Sequence, residues 1–445
     1  MIDPLSAWLP FEPTETTPWT YELAAHLFRR AAFGANQATC SRAVSDGPGI
    51  TVDRLLNPDG VEAFDQLLSH AANLLGAGDE APRVVAWWLY RMRHSPDPLG
   101  EQLVLFWHNH FATSADKVKD AELLLRQNLL FRERSRGRFG DLLKAVAEDP
   151  AMLIYLDCTE NRKRQPNENF AREIMELFAL GLDQYSQQDI KELARCFTGA
   201  EVRRREYRFN PYEHDTGIKV LLDTNGNFDG NQAIDLLLQQ TTAANFIATK
   251  LIRWFVCDQP LNQAFVEPLS RILRDHDYDI GHATSTILRS RIFYSSLSVG
   301  QQIRSPVSLV VGWLRGLDAT TDVQQLLRPL REMGQAPLYP PNVAGWPAGM
   351  VWLNSQSMIA RSHWIRDFAH SGQTRFEMGN ADNFARSLGT NARQRLQHLE
   401  LSLLAIPLTN ANREELLGSL EDKPPGEQVR AALDLLALLP QVHIA

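Results

Sequence analysis

Cysteine is scarce in this chain of 445 residues, with only Cys40, Cys158, Cys196 and Cys257, far apart in sequence. No Cys-x-x-Cys pair occurs, so neither a zinc ribbon nor a thioredoxin-like redox site is supported. Cys196 and Cys257 lie in apolar helical contexts and read as small buried residues. Long hydrophobic runs are also lacking. None approaches the roughly 18 residues that a bilayer crossing needs, so no membrane span is expected. A basic excess is missing too. The net charge of −8 argues against general nucleic-acid binding, which requires a positive face. No nucleotide-phosphate loop, Gly-x-Ser-x-Gly elbow or His-Glu-x-x-His pair is present, and local Ser/His/Asp catalysis has no support. The opening Met-Ile-Asp-Pro-Leu-Ser-Ala-Trp has neither a basic n-region nor an apolar h-region, and a cytoplasmic location is expected.

What is present is helical periodicity. Amphipathic patterns run over Glu22–Arg30, Val84–Arg93, Glu101–Phe111, Asn231–Gln239, Ala243–Val256, Asn262–Arg274 and Pro306–Arg315. Further helices start near Glu122, Asp141 and Asn167. Ser186-x-x-Asp189 reads as a capping box, and Ser305-Pro306 as an N-cap followed by a first-turn proline. The expected class is mainly all-α: a large multi-helix domain over residues 1–375, then a helical C-terminal subdomain or extension over 376–445. Two stretches break the pattern. Around 200–223, Val202, Tyr207-Arg208-Phe209 and Ile218–Leu222 predict one β-hairpin insertion. Around 333–352, Pro337, Pro340, Pro341 and Pro347 with Tyr339, Trp346 and Trp352 predict a stiff, non-helical loop, because proline fixes φ and removes donors.

Polar residues concentrate in and before the first of these breaks, most densely over residues 163–222. From Arg126 to Arg208 there are 16 Lys/Arg against 14 Asp/Glu, while the remainder holds 29 against 39. Such runs read first as solvated faces and second as an anion-binding rim. At helical spacing Asn169, Arg172, Glu173 and Glu176 form one stripe opposite Phe170, Ile174, Leu177 and Phe178. Glu173 and Glu176, at i and i+3, suit a divalent ion if a histidine joins them. The plainer alternative is a buried polar network in which Arg172 neutralises Glu176 or Glu168. His108 and His110 end an apolar helix; if that helix is intact they lie about 200° apart and cannot share a metal. In His214-Asp215-Thr216-Gly217-Ile218-Lys219, Asp215 can set the tautomer of His214, and Lys219 can hold an anion.

Several of these segments resemble one bacterial family. They are Phe28–Gly34 (FRRAAFG), Trp107–Ser114 (WHNHFATS), Asn167–Gly181 (NENFAREIMELFALG), Phe197–Gly199, His214–Lys219, Lys250-Leu251 and Tyr339–Leu353 (YPPNVAGWPAGMVWL). Collinear over about residues 20–370, they are similar to the domain-of-unknown-function 1800 family. That resemblance implies a mostly helical bacterial protein without an assigned activity. It also implies relatives that are often exported, and a partner similar to the sulfatase and alkaline-phosphatase superfamily encoded nearby. The chain departs from the family at Gln240-Thr241, where relatives carry His-Pro, and at Ala348, the first glycine of their Trp-Pro-Gly-Gly turn.

The leading expectation is therefore a metal-assisted or acid/base enzyme. Its catalytic residues would be Glu173, Glu176, His214 and Asp215, with His108, His110 and Glu173 around a divalent metal. Arg172, Lys219, Asn167, Asn169 and Trp346 would bind the ligand. The alternatives are a non-catalytic scaffold for the hydrolase-like partner, and a glycan-binding protein using Tyr339, Trp346 and Trp352.

Overall fold

The computed structural model describes residues 2–77, 80–376 and 379–445. The fold is mainly α, with short two-stranded ribbons as its β structure among the described residues. At its centre lies the Pro98–His110 helix. Asp97 caps it by accepting from the Gly100 N–H at 2.8 Å, and Pro98 occupies the first turn. Nearly every side chain on it is buried, because apolar residues surround its whole circumference. Tyr21–Ala31, Ala81–His94, Ala121–Arg134 and Thr241–Phe255 enclose it, and one contiguous apolar core runs through the molecule.

The sequence-based helices are present, and Ser186/Asp189 forms the reciprocal capping box. Two long helices had no reading: Gln37–Leu56, which kinks at Gly47-Pro48, and Val61–Ala77. The helix begun by Asn167 runs only over Glu168–Glu173 before widening into a π-helix at Ile174–Ala179. Glu176 therefore sits on a different helical period from Asn169, Arg172 and Glu173.

The expected single hairpin is in fact two. Ala200–Arg203 pairs with Glu206–Phe209, and Lys219–Leu221 pairs with Thr224–Gly226, both antiparallel. The C-terminal helices from Ala381 to Leu436 pack on the body: Phe376 pairs with Ala319, and Arg304 Nη2 donates to Leu403 O at 2.8 Å. Among the described residues no helix is long and apolar enough to cross a membrane. All four cysteines are buried and free.

Candidate functional site

The helix carrying His108 and His110 stays intact through both residues, so the two rings leave it in different directions. His108 Nε2 accepts from the Leu338 N–H at 3.1 Å, and its ring meets Trp88 edge-on and Trp346 at a tilt. Burial pushes its pKa down to about 3, so it is a neutral acceptor holding the proline-rich loop. His110 turns the other way. Its Nε2 lies 3.0 Å from Phe178 O and must donate, which leaves an acceptor lone pair on the buried, unpartnered Nδ1. Burial, with Lys250 nearby, holds its pKa well below the ordinary value. The two histidines thus share no ion. Among the described residues no group of three or more His, Cys, Asp or Glu is placed to hold a metal.

Around the glutamate stripe, Glu168, Arg172 and Glu176 find ordinary partners. Arg172 Nη2 donates to Gln187 Oε1 at 2.9 Å, and Gln187 in turn donates to Glu168 at 3.0 Å. Arg172 therefore neutralises neither Glu168 nor Glu176 directly. Glu176 accepts from the Tyr185 hydroxyl at 2.8 Å. Partial burial, then the neighbouring Glu176, raises the pKa of Glu173. Asn167 caps its helix through the Phe170 N–H, and Asn169 is exposed.

The His-Asp-Gly-Lys segment closes on itself. His214 Nδ1 lies 2.8 Å from Thr198 O and so donates to it, and Asp215 accepts from Arg195 Nε at 2.7 Å and from the Gly217 N–H at 2.8 Å. The Arg195 hydrogen bond is the main cause holding the Asp215 pKa down at about 2. Lys219, fully buried, donates to Asp215 O at 2.6 Å and to Asn227 Oδ1 at 3.1 Å. None of these side chains hydrogen-bonds or ion-pairs with Glu173 or Glu176, so the expected catalytic quartet is not assembled by direct contact.

A different convergence is present. Four of the motif segments, FRRAAFG, WHNH, Lys250-Leu251 and the Tyr339–Leu353 loop, contribute to one cavity of about 270 Å³. Its floor is cationic, made by Arg29, Arg30, Lys250 and Arg304, with Arg253 exposed at the mouth and Asp258 as the side-chain carboxylate in the lining. Phe106, Trp254, Trp346 and Trp352 supply the apolar walls. The loop is seated by Asn109, whose Oδ1 accepts from the Trp346 N–H at 2.7 Å. Gly345, at φ +83°, makes that approach feasible: a Cβ there would lie 2.3 Å from Asn109 O. Trp346 and Trp352 are each only 5 % exposed, so they face the cavity and form no open aromatic platform. Tyr339 lies apart from them under the Arg331 guanidinium.

The electrostatics of this floor are unusual. Arg30 is 2 % exposed; its Nε donates to Phe255 O at 3.1 Å, and Nη1 and Nη2 have no partner. Arg29 Nε is likewise buried and unpartnered. Lys250 Nζ makes one long bond, 3.3 Å to Leu177 O, and lies over the Phe246 ring; burial, then Arg253, pushes its pKa down to about 8. Arg29, Arg30, Lys250, Arg304, Asp258 and Asn109 escaped the reading of the sequence as site residues. The adjacent Arg29-Arg30 pair on an amphipathic helix was the available signal, since successive residues step by about 100° and one of two neighbouring cations is then turned toward the core.

The fold is mainly helical, and four of its motif segments meet at one cationic cavity that opens to the surface beside Arg253 and Ala344. A family model described as a protein of unknown function, DUF1800, matches residues 26–443, and the chain belongs to that family. The match extends well past residue 370, where the motif resemblance fades, so the C-terminal helices are family sequence. No curated protein and no solved structure matches the chain.

Proposed function

We propose that the chain takes a small molecule into the motif-lined cavity and acts on it by acid/base chemistry. The observation that carries this reading is the convergence of four sequence-distant motif segments on one cavity. Its volume is close to the lower end of ordinary ligand sites, which favours a small molecule over a peptide or a nucleic acid. Within it, the free lone pair of His110 Nδ1 is the proton acceptor, and the Lys250 ammonium is the donor. This moves the acid/base role away from Glu176, His214 and Asp215, which are engaged by Tyr185, Thr198 and Arg195, and from Glu173, which lines no part of the cavity. A metal-assisted version at His108, His110 and Glu173 has less support, because the two rings diverge. A sugar ring stacking on Trp346 or Trp352 would fit inside the cavity reading.

The proposal is tested by equilibrium dialysis of the protein against a small-molecule extract of the native host. Ala344, exposed at the rim, is replaced by tryptophan to close the mouth without touching the core. A compound enriched by the wild type and lost in Ala344→Trp is expected. Equal retention by both proteins would sink the reading.

A second reading keeps one observation of its own. Phe209, Tyr212, Ile218 and Val220, on and beside the ribbons, are large apolar residues left exposed. They support a scaffold that docks a sulfatase/phosphatase-like protein. A stoichiometric complex that dissolves on Phe209→Ser/Tyr212→Ser would favour it.

A further inference from the structure

We infer that the ligand of this cavity carries an oxyanion, a phosphate, sulfate or carboxylate, anchored on Arg30 with Arg29 and Arg304. This rests on the reading that the cavity takes a small molecule, and it names that molecule's chemical class.

The buried cations of this cavity lack matching anions. Arg29, Arg30 and Arg304 are 5 %, 2 % and 4 % exposed, and Arg361, which donates to Arg304 O at 2.8 Å, is 0 % exposed. None of the four forms an ion pair with a carboxylate among the described residues. Arg304 spends Nε and Nη2 on main-chain carbonyls, Ile444 O at 3.0 Å and Leu403 O at 2.8 Å. Asp258, near Arg30, accepts from the Ile303 N–H at 2.7 Å and is itself pushed toward its neutral form by burial. Ala445, also in the lining, pairs with none of these cations.

Burying an uncompensated cation costs several kcal/mol, and proteins avoid it by pairing or by deprotonation. Deprotonation is not the answer here. Burial lowers Arg29 and Arg30 to about 10 and Arg304 to about 9, all still charged at neutral pH. Elsewhere buried guanidinium groups find acceptors: Arg91 closes on Glu101 at 3.0 Å, and Arg395 donates to Ala385 O at 2.8 Å and to Gln428 Oε1 at 2.6 Å. In the cavity lining, Arg30 Nη1 and Nη2 and Arg29 Nε have no acceptor at all. Two parallel guanidinium N–H groups with a fixed Nε match the geometry of a carboxylate, phosphate or sulfate edge. The aromatic walls then receive the organic remainder of the ligand.

The test uses the full chain and three variants, Arg30→Gln, Arg30→Lys and Ala344→Trp. Unfolding midpoints are followed with inorganic phosphate, sulfate, acetate and chloride at matched ionic strength. Tryptophan fluorescence is titrated with phenyl phosphate, benzoate and the neutral phenol. Phosphate and sulfate stabilise folded proteins generally by exclusion from their surfaces, so the informative quantity is the difference between wild type and variant. We expect the oxyanions to raise the wild-type midpoint by a few degrees more than chloride. Arg30→Gln should lose that excess and bind phenyl phosphate or benzoate at least about tenfold more weakly, with Arg30→Lys between. The phosphate and carboxylate arms identify which oxyanion is preferred. An Arg30→Gln protein that responds to oxyanions as the wild type does, or a wild type that cannot tell them from chloride, overturns the inference. If phenol binds the wild type and not Ala344→Trp while no oxyanion effect exists, the anion inference falls and the cavity reading stands. If no probe of any kind binds, both fall.

Discussion

The ribbon region and the cavity are both rich in polar side chains, and they differ in whether their hydrogen bonds close. In the ribbon region, His214, Asp215 and Lys219 are satisfied by Thr198, Arg195, Asn227 and their own backbone. In the cavity, Arg30 Nη1 and Nη2, Arg29 Nε and His110 Nδ1 are buried with no partner. A satisfied network stabilises a turn and leaves nothing to offer a ligand. A buried polar group left open is a cost that the fold bears, and binding can recover it. Motif density and open hydrogen-bonding capacity are separate observations, and the cavity combines them.

Acid should separate the two regions most strongly. His26, His108 and His110 are held neutral by burial, with pKa values depressed below that of the unfolded chain. Their contribution is complete above about pH 6.5 and is lost as pH falls toward the folded values, at about 1.4 kcal/mol per pH unit for each histidine. Asp215, depressed to about 2, keeps its pairing until far lower pH. Hydrogen exchange followed from pH 7 to pH 4 should therefore show the core around the Pro98–His110 helix opening first. Prior opening of residues 200–226 would break the contrast.

Next in size is Glu101→Ala. It leaves buried Arg91 with only the half-exposed Asp65 and Arg132 with Asn128 Oδ1, and should cost about 3 kcal/mol by urea unfolding. Burial opposes ionisation of this carboxylate, but Arg132 and Arg91 outweigh it, so it is charged in the fold. Gly345→Ala should cost about 1–3 kcal/mol, through the positive φ and the overlap with Asn109, and should loosen the loop that roofs the cavity. Protease cleavage near residue 345 is the convenient readout. Asp215→Asn removes a partly exposed pair with Arg195 and should cost less than about 1 kcal/mol. The smallest effect is the most telling. In anion-free buffer Arg30→Gln should unfold within about 1 kcal/mol of the wild type, or later, because it removes a charge that nothing pairs. A loss comparable to that of Glu101→Ala would place Arg30 in the structural class.

Much of the helical architecture was legible, because periodicity and caps such as Asp97, Ser186 and Ser305 are local signals. The β character of residues 200–223 was legible too, but its division into two ribbons was not. Their turns use Arg204-Arg205 and Leu222-Asp223 at positive φ, so the Asn-Gly signature that announces a tight hairpin is missing. The π-helix at Ile174–Ala179 has no pattern that distinguishes it from an α-helix. In the site, the Trp107–His110 and Trp346–Pro347 segments stood out, because aromatic and histidine residues are conspicuous. Their apposition was invisible, since it depends on a hydrogen bond across 237 positions. Arg29, Arg30 and Arg304 were passed over for a general reason. A sequence displays charge but not the absence of a partner, and that absence is what marks this cavity.

Hydrogen–deuterium exchange with and without saturating phenyl phosphate separates a ligand site in the cavity from one at the ribbons. Binding in the cavity should protect residues 29–34, 107–111 and 343–349 and leave residues 200–226 unchanged. Protection confined to 200–226, or none at all, would contradict it.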